Sequence, residues 1–315
     1  LASEVFNKQD PKVQEFLLGT SILDDMTPEL CDAVLGTNNA WAVLSLLEER
    51  NLFLNRLGAE GHWYRYHRLF QGYLVSRLQR ENPGWYAELH RRAAAYWESK
   101  NDVPQAIAHL LSANEYAAAA DRIERIASAM IAAGRHMWLM QWHETLPEAV
   151  SRAHPWLLVH TAKAYAQYGQ MDTALSLLDA AEEAFRRAHD LNGAVQVAVQ
   201  RGTIYRLQGR YRDGVEECAR AALLAAQVDT PTVAEMERCW GICLGQLGRL
   251  QEGVEHLERA LQLHLVSGGE FNAALARTEL GAFLERMGRL ENALEQFEKS
   301  AAVLRRVRNP SELAN

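Results

Sequence analysis

Four short stretches decide the fold: Gly169-Gln170-Met171, Gly209-Arg210-Tyr211, Gly248-Arg249-Leu250 and Gly288-Arg289-Leu290. They recur at steps of 40, 39 and 40 residues, and each lies between two runs of helix-forming residues. A glycine at such a point can take the left-handed conformation that ends one helix and turns the chain into the next. A fixed period of this length marks stacked helical hairpins. One hairpin cannot bury its apolar face alone, so its neighbours must complete the core.

The surrounding residues follow the same period. Small residues stand seven before and five after each turn: Ala162 and Ala174, Gly202 and Gly214, Gly241 and Gly253, Gly281 and Ala293. These are the positions where the two helices of a tetratricopeptide-like hairpin approach closely. A bulky side chain there would cost about 1–3 kcal/mol, the scale of core overpacking. Tyr165, Tyr205, Leu244 and Leu284 on first helices, with Leu178, Leu257 and Phe297 on second helices, are expected to fill the gaps between hairpins. Two weaker units precede these four, one turning at Asn101 and one at Gly134-Arg135-His136. The period exceeds the roughly 34 residues of ordinary tetratricopeptide repeats. Longer helices and linkers such as 226–231 and 266–269 account for the difference.

Residues 1–82 read differently. Asp10-Pro11 and Thr27-Pro28 each start a capped helix with proline in its first position. A third helix runs from Asn39 to Glu49. The period then changes: Leu52 to Leu57, a turn at Gly58-Ala59-Glu60-Gly61, and His62 to Tyr66 read as a β-hairpin. A further helix covers about 67–79. Three helices, a hairpin and a helix make a winged-helix module. Its third helix carries Glu48 and Glu49 and little basic charge, whereas a DNA-reading helix presents Arg or Lys to phosphates and base edges. Packing against a neighbouring domain is the better reading. The fold class is thus mainly α: a winged-helix domain over 1–82, then an α-α superhelix of tetratricopeptide-like hairpins over 83–315.

Bulk properties exclude several functions. The chain has 315 residues, 48% hydrophobic and 23% charged, and a net charge of −7. An acidic chain without a basic block is a poor nucleic-acid binder. No run of about 18 apolar residues is present to span a membrane. Leu1 to Phe6 show neither an initiator Met nor a signal-peptide pattern, so the chain is expected to be a segment of a longer protein. Of four cysteines, Cys239 and Cys243 lie one helical turn apart, but no His or second Cys pair has matching spacing. They read as buried small residues in a reducing cytoplasm, and no metal is expected. No zinc-protease, nucleophile-elbow or paired-carboxylate pattern occurs, so no catalytic residue is assigned and the chain is not expected to be an enzyme.

Several segments resemble the winged-helix region of the MalT-type regulators: Phe16 to Leu23, Leu30 to Val34, Asn51-Leu52-Phe53 and Tyr64 to Phe70. Leu89 to Ala94 and Ala106 to His109 resemble them too. These are large LuxR-type transcription activators among the signal-transduction ATPases called STAND proteins. The resemblance implies a layout of nucleotide-binding domain, winged helix, helical-repeat sensor and DNA-binding helix-turn-helix. Neither outer domain lies within these residues, since the G-x-x-x-x-G-K-[ST] phosphate loop and a terminal basic helix-turn-helix are both missing. The chain is then expected to be a regulatory, cytoplasmic fragment. Its partners would be its own nucleotide-binding and DNA-binding domains, together with a small-molecule inducer or a protein or peptide. The alternative is a tetratricopeptide interaction scaffold without an inducer.

The resemblance also singles out His67. In STAND proteins a histidine at the start of the last winged-helix helix, in a Met-His-Asp motif, touches bound ADP. Tyr66-His67-Arg68 falls at that place, with Arg68 replacing the Asp. An imidazole at a helix N-terminus can donate to a phosphate beside the free backbone N–H groups. His67 and Arg68 are therefore expected to contact ADP in the full-length protein only, where ATP or ADP is the cofactor; this fragment holds none. The alternative is a histidine that caps its own helix and packs under the wing. In the repeat array, first-helix residues Lys163, Gln167, Arg206, Arg238, Gln246, Glu285 and Arg286 are expected to face the groove and meet the ligand or partner. Trp138, Trp142 and Trp156 are expected to pack between units.

Overall fold

The computed structural model describes residues 2–50, 52–57 and 63–308. The expected wing turn at 58–61, and His62 before the second strand, lie outside the described residues. The chain divides into two compact units, Leu1–Arg125 and Ile126–Asn315.

The first unit opens with α1 (Ala2–Asn7), which carries no periodic signal in the sequence; Phe6 anchors it, buried under the Arg77 guanidinium at 4.6 Å. Helix α2 (Pro11–Thr20) starts where Asp10 accepts the Lys12 N–H, and α3 (Pro28–Leu35) where the Thr27 hydroxyl accepts the Leu30 N–H. Each cap satisfies a donor that the helix leaves over. Helix α4 (Ala40–Glu49) is followed by the antiparallel strands β1 (Leu54–Leu57) and β2 (Trp63–Tyr66), registered Leu54 to Tyr66 and Leu57 to Trp63. The strand period shows in burial, since Tyr64 and Tyr66 are buried while Trp63 and Arg65 face outward. Tyr64 also pairs through its backbone with Met26, and the Tyr66 hydroxyl lies 2.7 Å from that of Thr20.

Helix α5 (Arg68–Glu81) completes the winged helix, and α6 (Pro83–Ser99) and α7 (Val103–Ser112) form a hairpin that turns at Asn101, φ +59°. The division read at residue 82 falls between α5 and α6. The compact unit runs on to Arg125, because α6 packs on α3 and adds Leu89 and Ala93 to the same core. Helix α8 (Tyr116–Ala132) starts in the first unit and ends in the second.

The second unit holds α9 (His136–Thr145), the short α10 (Glu148–Ala153), and four long hairpins. These are α11 (Pro155–Gln167) with α12 (Met171–Ala188), α13 (Leu191–Leu207) with α14 (Tyr211–Ala222), α15 (Thr230–Gln246) with α16 (Leu250–Val266), and α17 (Glu270–Arg286) with α18 (Leu290–Arg308). The turn glycines 169, 209, 248 and 288 have φ of +78°, +74°, +86° and +75°. After each, the next N–H reaches back to a carbonyl five residues earlier: Gln170 to Tyr165, Arg210 to Tyr205, Arg249 to Leu244 and Arg289 to Leu284, at 2.7–3.0 Å. This is the Schellman closure, and it uses the same large residues that fill the gaps between hairpins.

Two of the expected pairs, Gly241 with Gly253 and Gly202 with Gly214, bring their backbones close, while a Cβ on Gly281 would meet the Phe297 ring. A Cβ on Gly241 would lie 2.8 Å from the Gly253 carbonyl oxygen, and one on Gly253 would lie 2.8 Å from that of Gly241. At the Gly202–Gly214 crossing the space beside the glycines goes to sulfur: a Cβ on Gly202 would meet Cys239 Sγ at 2.9 Å, and one on Gly214 would meet Cys243 Sγ at 2.8 Å. Cys218 joins them in the same buried cluster, and all four thiols are free. No described helix is long and apolar enough to cross a membrane.

Candidate functional site

The first helices α11, α13, α15 and α17 lie side by side, each touching the next. One stripe on each helix, at intervals of three and four residues, faces a common surface. That stripe brings together Lys163, Arg206, Glu235, Arg238 and Glu279. Arg238 is the centre. Its guanidinium donates to Glu235 at 3.1 Å within α15, and to both Glu279 oxygens on α17 at 3.0 and 3.3 Å. Burial works against the Arg238 charge, but the two carboxylates outweigh it and hold it cationic. Burial pushes the Glu279 carboxyl upward, with Arg238 opposing.

Lys163 is placed differently. It makes no direct ion pair among the described residues, and burial pushes its ammonium down, with Glu235 nearby opposing and Arg238 adding to the effect. One turn before it, His160 is pushed down to about 4, first by burial and then by Lys163, and its Nδ1 has no partner. His264 on α16 backs the cluster; its Nε2 lies 3.5 Å from Glu235, and the ring is 1% exposed. Arg206 feels Glu279 without bonding to it. Among the described residues the face therefore carries three cations against two carboxylates, with imidazoles that burial keeps neutral beside them. A desolvated ammonium without a counter-ion favours an incoming anion or strong acceptor.

The seven expected groove residues thus separate into two sets. Lys163, Arg206 and Arg238 meet on the face. Gln167, Gln246, Glu285 and Arg286 are exposed near the ends of their helices and join none of these pairs, Arg286 lying instead over the Phe283 ring at 5.5 Å. The acids Glu235 and Glu279 were missed by the sequence reading. They sit thirteen and nine residues before their turn glycines, on the helical stripe that also holds Arg238 and Lys163, ten and six before theirs. That spacing was the available signal.

His67 precedes α5 at its N-cap position, exposed, with no side-chain capping bond. Its backbone N–H donates to the Phe53 carbonyl at 2.7 Å, and its ring centroid lies 6.4 Å from that of Phe53. His67 therefore makes no side-chain bond that caps its own helix, and its ring lies beside Phe53 instead. Arg68 is exposed beside it. The tryptophans pack: Trp142 is buried edge-on to Trp138 at 5.5 Å, and Trp156 meets Phe185 at 5.1 Å. Trp138 remains 46% exposed. Among the described residues no group of three or more His, Cys, Asp or Glu is placed to hold a metal.

Comparison with known proteins agrees with this architecture. Residues 2–86 match the MalT winged helix domain, and residues 232–306 match a tetratricopeptide repeat family. The HTH-type transcriptional regulator MalT of Klebsiella pneumoniae is 27% identical over 97% of this chain and 34% of its own length. The serine/threonine-protein kinase PknK of Mycobacterium tuberculosis is 32% identical over 56% of this chain and 17% of its own. This chain spans no more than about a third of either relative. A signal transduction ATPase with numerous domains (STAND) with a tetratricopeptide repeat sensor, from Pyrococcus horikoshii, aligns over 98% of the chain with 14% identity and a TM-score of 0.48. The resemblance to MalT-type regulators, and the order of winged helix before helical repeats, are as read from the sequence.

Proposed function

We propose that this chain is the winged-helix and sensor segment of a MalT-like transcriptional regulator, and that the first-helix face of its hairpins takes the inducer or partner. The observation that carries the proposal is the clustering of Lys163, Arg206 and Arg238 from three successive first helices on one face, with Lys163 largely desolvated and in no direct ion pair among the described residues. A solvated stripe would pair or expose such a charge; a recognition face holds it ready. The intact protein would act in the cytoplasm as an ATP-dependent switch, with His67 and Arg68 beside the nucleotide of a neighbouring domain. A ligand moves such a switch only by binding its two states unequally. Repeat units that share one face are suited to this, because a ligand spanning several first helices changes their spacing.

The test is a thermal-shift screen of anionic and hydroxyl-rich metabolites against the chain. A ligand at about 100 times its dissociation constant adds about 2.7 kcal/mol. Stabilisation by at least one compound supports the inducer reading. No stabilisation, together with a protein that co-purifies through the repeats, would replace it by the scaffold.

A further inference from the structure

The first unit contains a second cavity, far in sequence from the hairpin face, of about 640 Å³. The loop after α2, strand β2 and helices α5, α6 and α7 line it. Its walls hold three carboxylates, Asp24, Asp25 and Asp102, and no Lys or Arg. Arg65 neutralises Asp25 through two hydrogen bonds of 2.7 and 2.9 Å. Asp102 caps α7 by accepting the Gln105 N–H at 3.2 Å. Asp24 has only a long contact of 3.5 Å from Gln71. Asp24 and Asp102 thus make no direct ion pair among the described residues, although Arg65 acts on Asp24 through space. The other walls are aromatic, from Trp63, Tyr86 and Trp97.

Beneath them lies a pair of buried imidazoles. His90 and His109 share one hydrogen between their Nδ1 atoms, 2.8 Å apart, and His90 Nε2 is buried with no partner although its ring, 5% exposed, lines the cavity. Burial holds both neutral, so they add no positive charge to the walls. With both rings neutral, one Nδ1 donates and the other accepts. Where His90 Nδ1 is the donor, its Nε2 is a bare lone pair. Asp24, Asp102 and that lone pair accept, no Lys or Arg lines the cavity, and the aromatic rings offer faces to a cation.

We propose that this cavity binds an organic cation, a guanidinium or primary ammonium group on an aliphatic stem. Its N–H groups reach Asp24, Asp102 and His90 Nε2, and its stem lies against Trp63 and Trp97. The volume suits a small amine or one basic side chain. This site lies within the winged-helix unit and stands independently of the reading of the hairpin face.

The experiment is calorimetric titration of the full 315-residue chain with agmatine, with its uncharged ureido analogue, and with a short arginine-containing peptide. Binding of agmatine but not the analogue, weakened tenfold or more by Asp24→Asn and by Asp102→Asn, is the expected result. Asn keeps the α7 cap, so the second variant folds, and unchanged melting without ligand verifies both. His90→Phe should weaken agmatine while retaining the aromatic wall. Binding of the peptide tenfold tighter than agmatine would assign the cation to a protein side chain; the reverse would assign it to a free amine. Absence of binding by both cations, or equal binding of the ureido analogue, or full affinity in Asp24→Asn and Asp102→Asn, overturns the proposal.

Discussion

At the scale of single residues, glycines do two opposite jobs here. Gly253 sits where a Cβ would press on a backbone carbonyl at 2.8 Å, whereas Gly72 in α5 has nothing within 4 Å. Gly253→Val is therefore expected to cost about 1–3 kcal/mol by overpacking. Gly72→Ala is expected to stabilise by about 0.4–1 kcal/mol through the unfolded chain. Urea denaturation of the two variants checks both signs. Histidine burial supplies a pH dependence. Folding pushes His90 down to about 3 and His109 to about 4, against about 6.5 in the unfolded chain. Below pH 6.5 the unfolded chain takes up protons that the folded chain refuses, so stability is full above that pH and falls with acid. Each imidazole removes about 2 kcal/mol between pH 6.5 and 5. The urea midpoint should drop over that range, and less steeply in a His90→Asn/His109→Asn variant. Glycine turns were legible because that point needs a positive φ, which glycine takes without a Cβ penalty; Asn101 takes the same φ in one repeat without glycine. The His90–His109 pair was not, since its partners stand 19 residues apart on different helices.

At the scale of elements, the hairpins were readable because each repeats the same local rule: small residues at the crossing, a left-handed turn, large residues outside. The wing was readable from its change of period. Helix α1 escaped because six residues are too few to show a period, and tertiary packing of Phe6 holds it. Charge pairing between helices was also hidden, because Glu279 lies 41 residues from Arg238. That pairing makes a prediction. Arg238→Ala leaves Glu235 and Glu279 as neighbouring, poorly hydrated carboxylates and should destabilise by about 1–3 kcal/mol. Adding Glu279→Gln to it should restore part of the loss, a coupling that a double-mutant cycle reads directly. Additive losses would mean that the two groups act separately.

At the scale of the whole molecule, the order of winged helix and helical repeats could be read because two periods, one mixed and one of about 40 residues, occupy separate stretches. Three of the charges on the face, Lys163, Arg206 and Arg238, could be read from the repeat register, but the partner acids Glu235 and Glu279 could not, because pairing depends on how successive first helices turn against one another. The central claim is that this face receives the ligand or partner. Hydrogen–deuterium exchange of the chain, with and without a stabilising compound, tests it most directly. Protection concentrated in α11, α13, α15 and α17, and abolished by Lys163→Ala with Arg206→Ala, is the expected result. Protection confined to the second helices α12, α14, α16 and α18, or unchanged in that double variant, would contradict it.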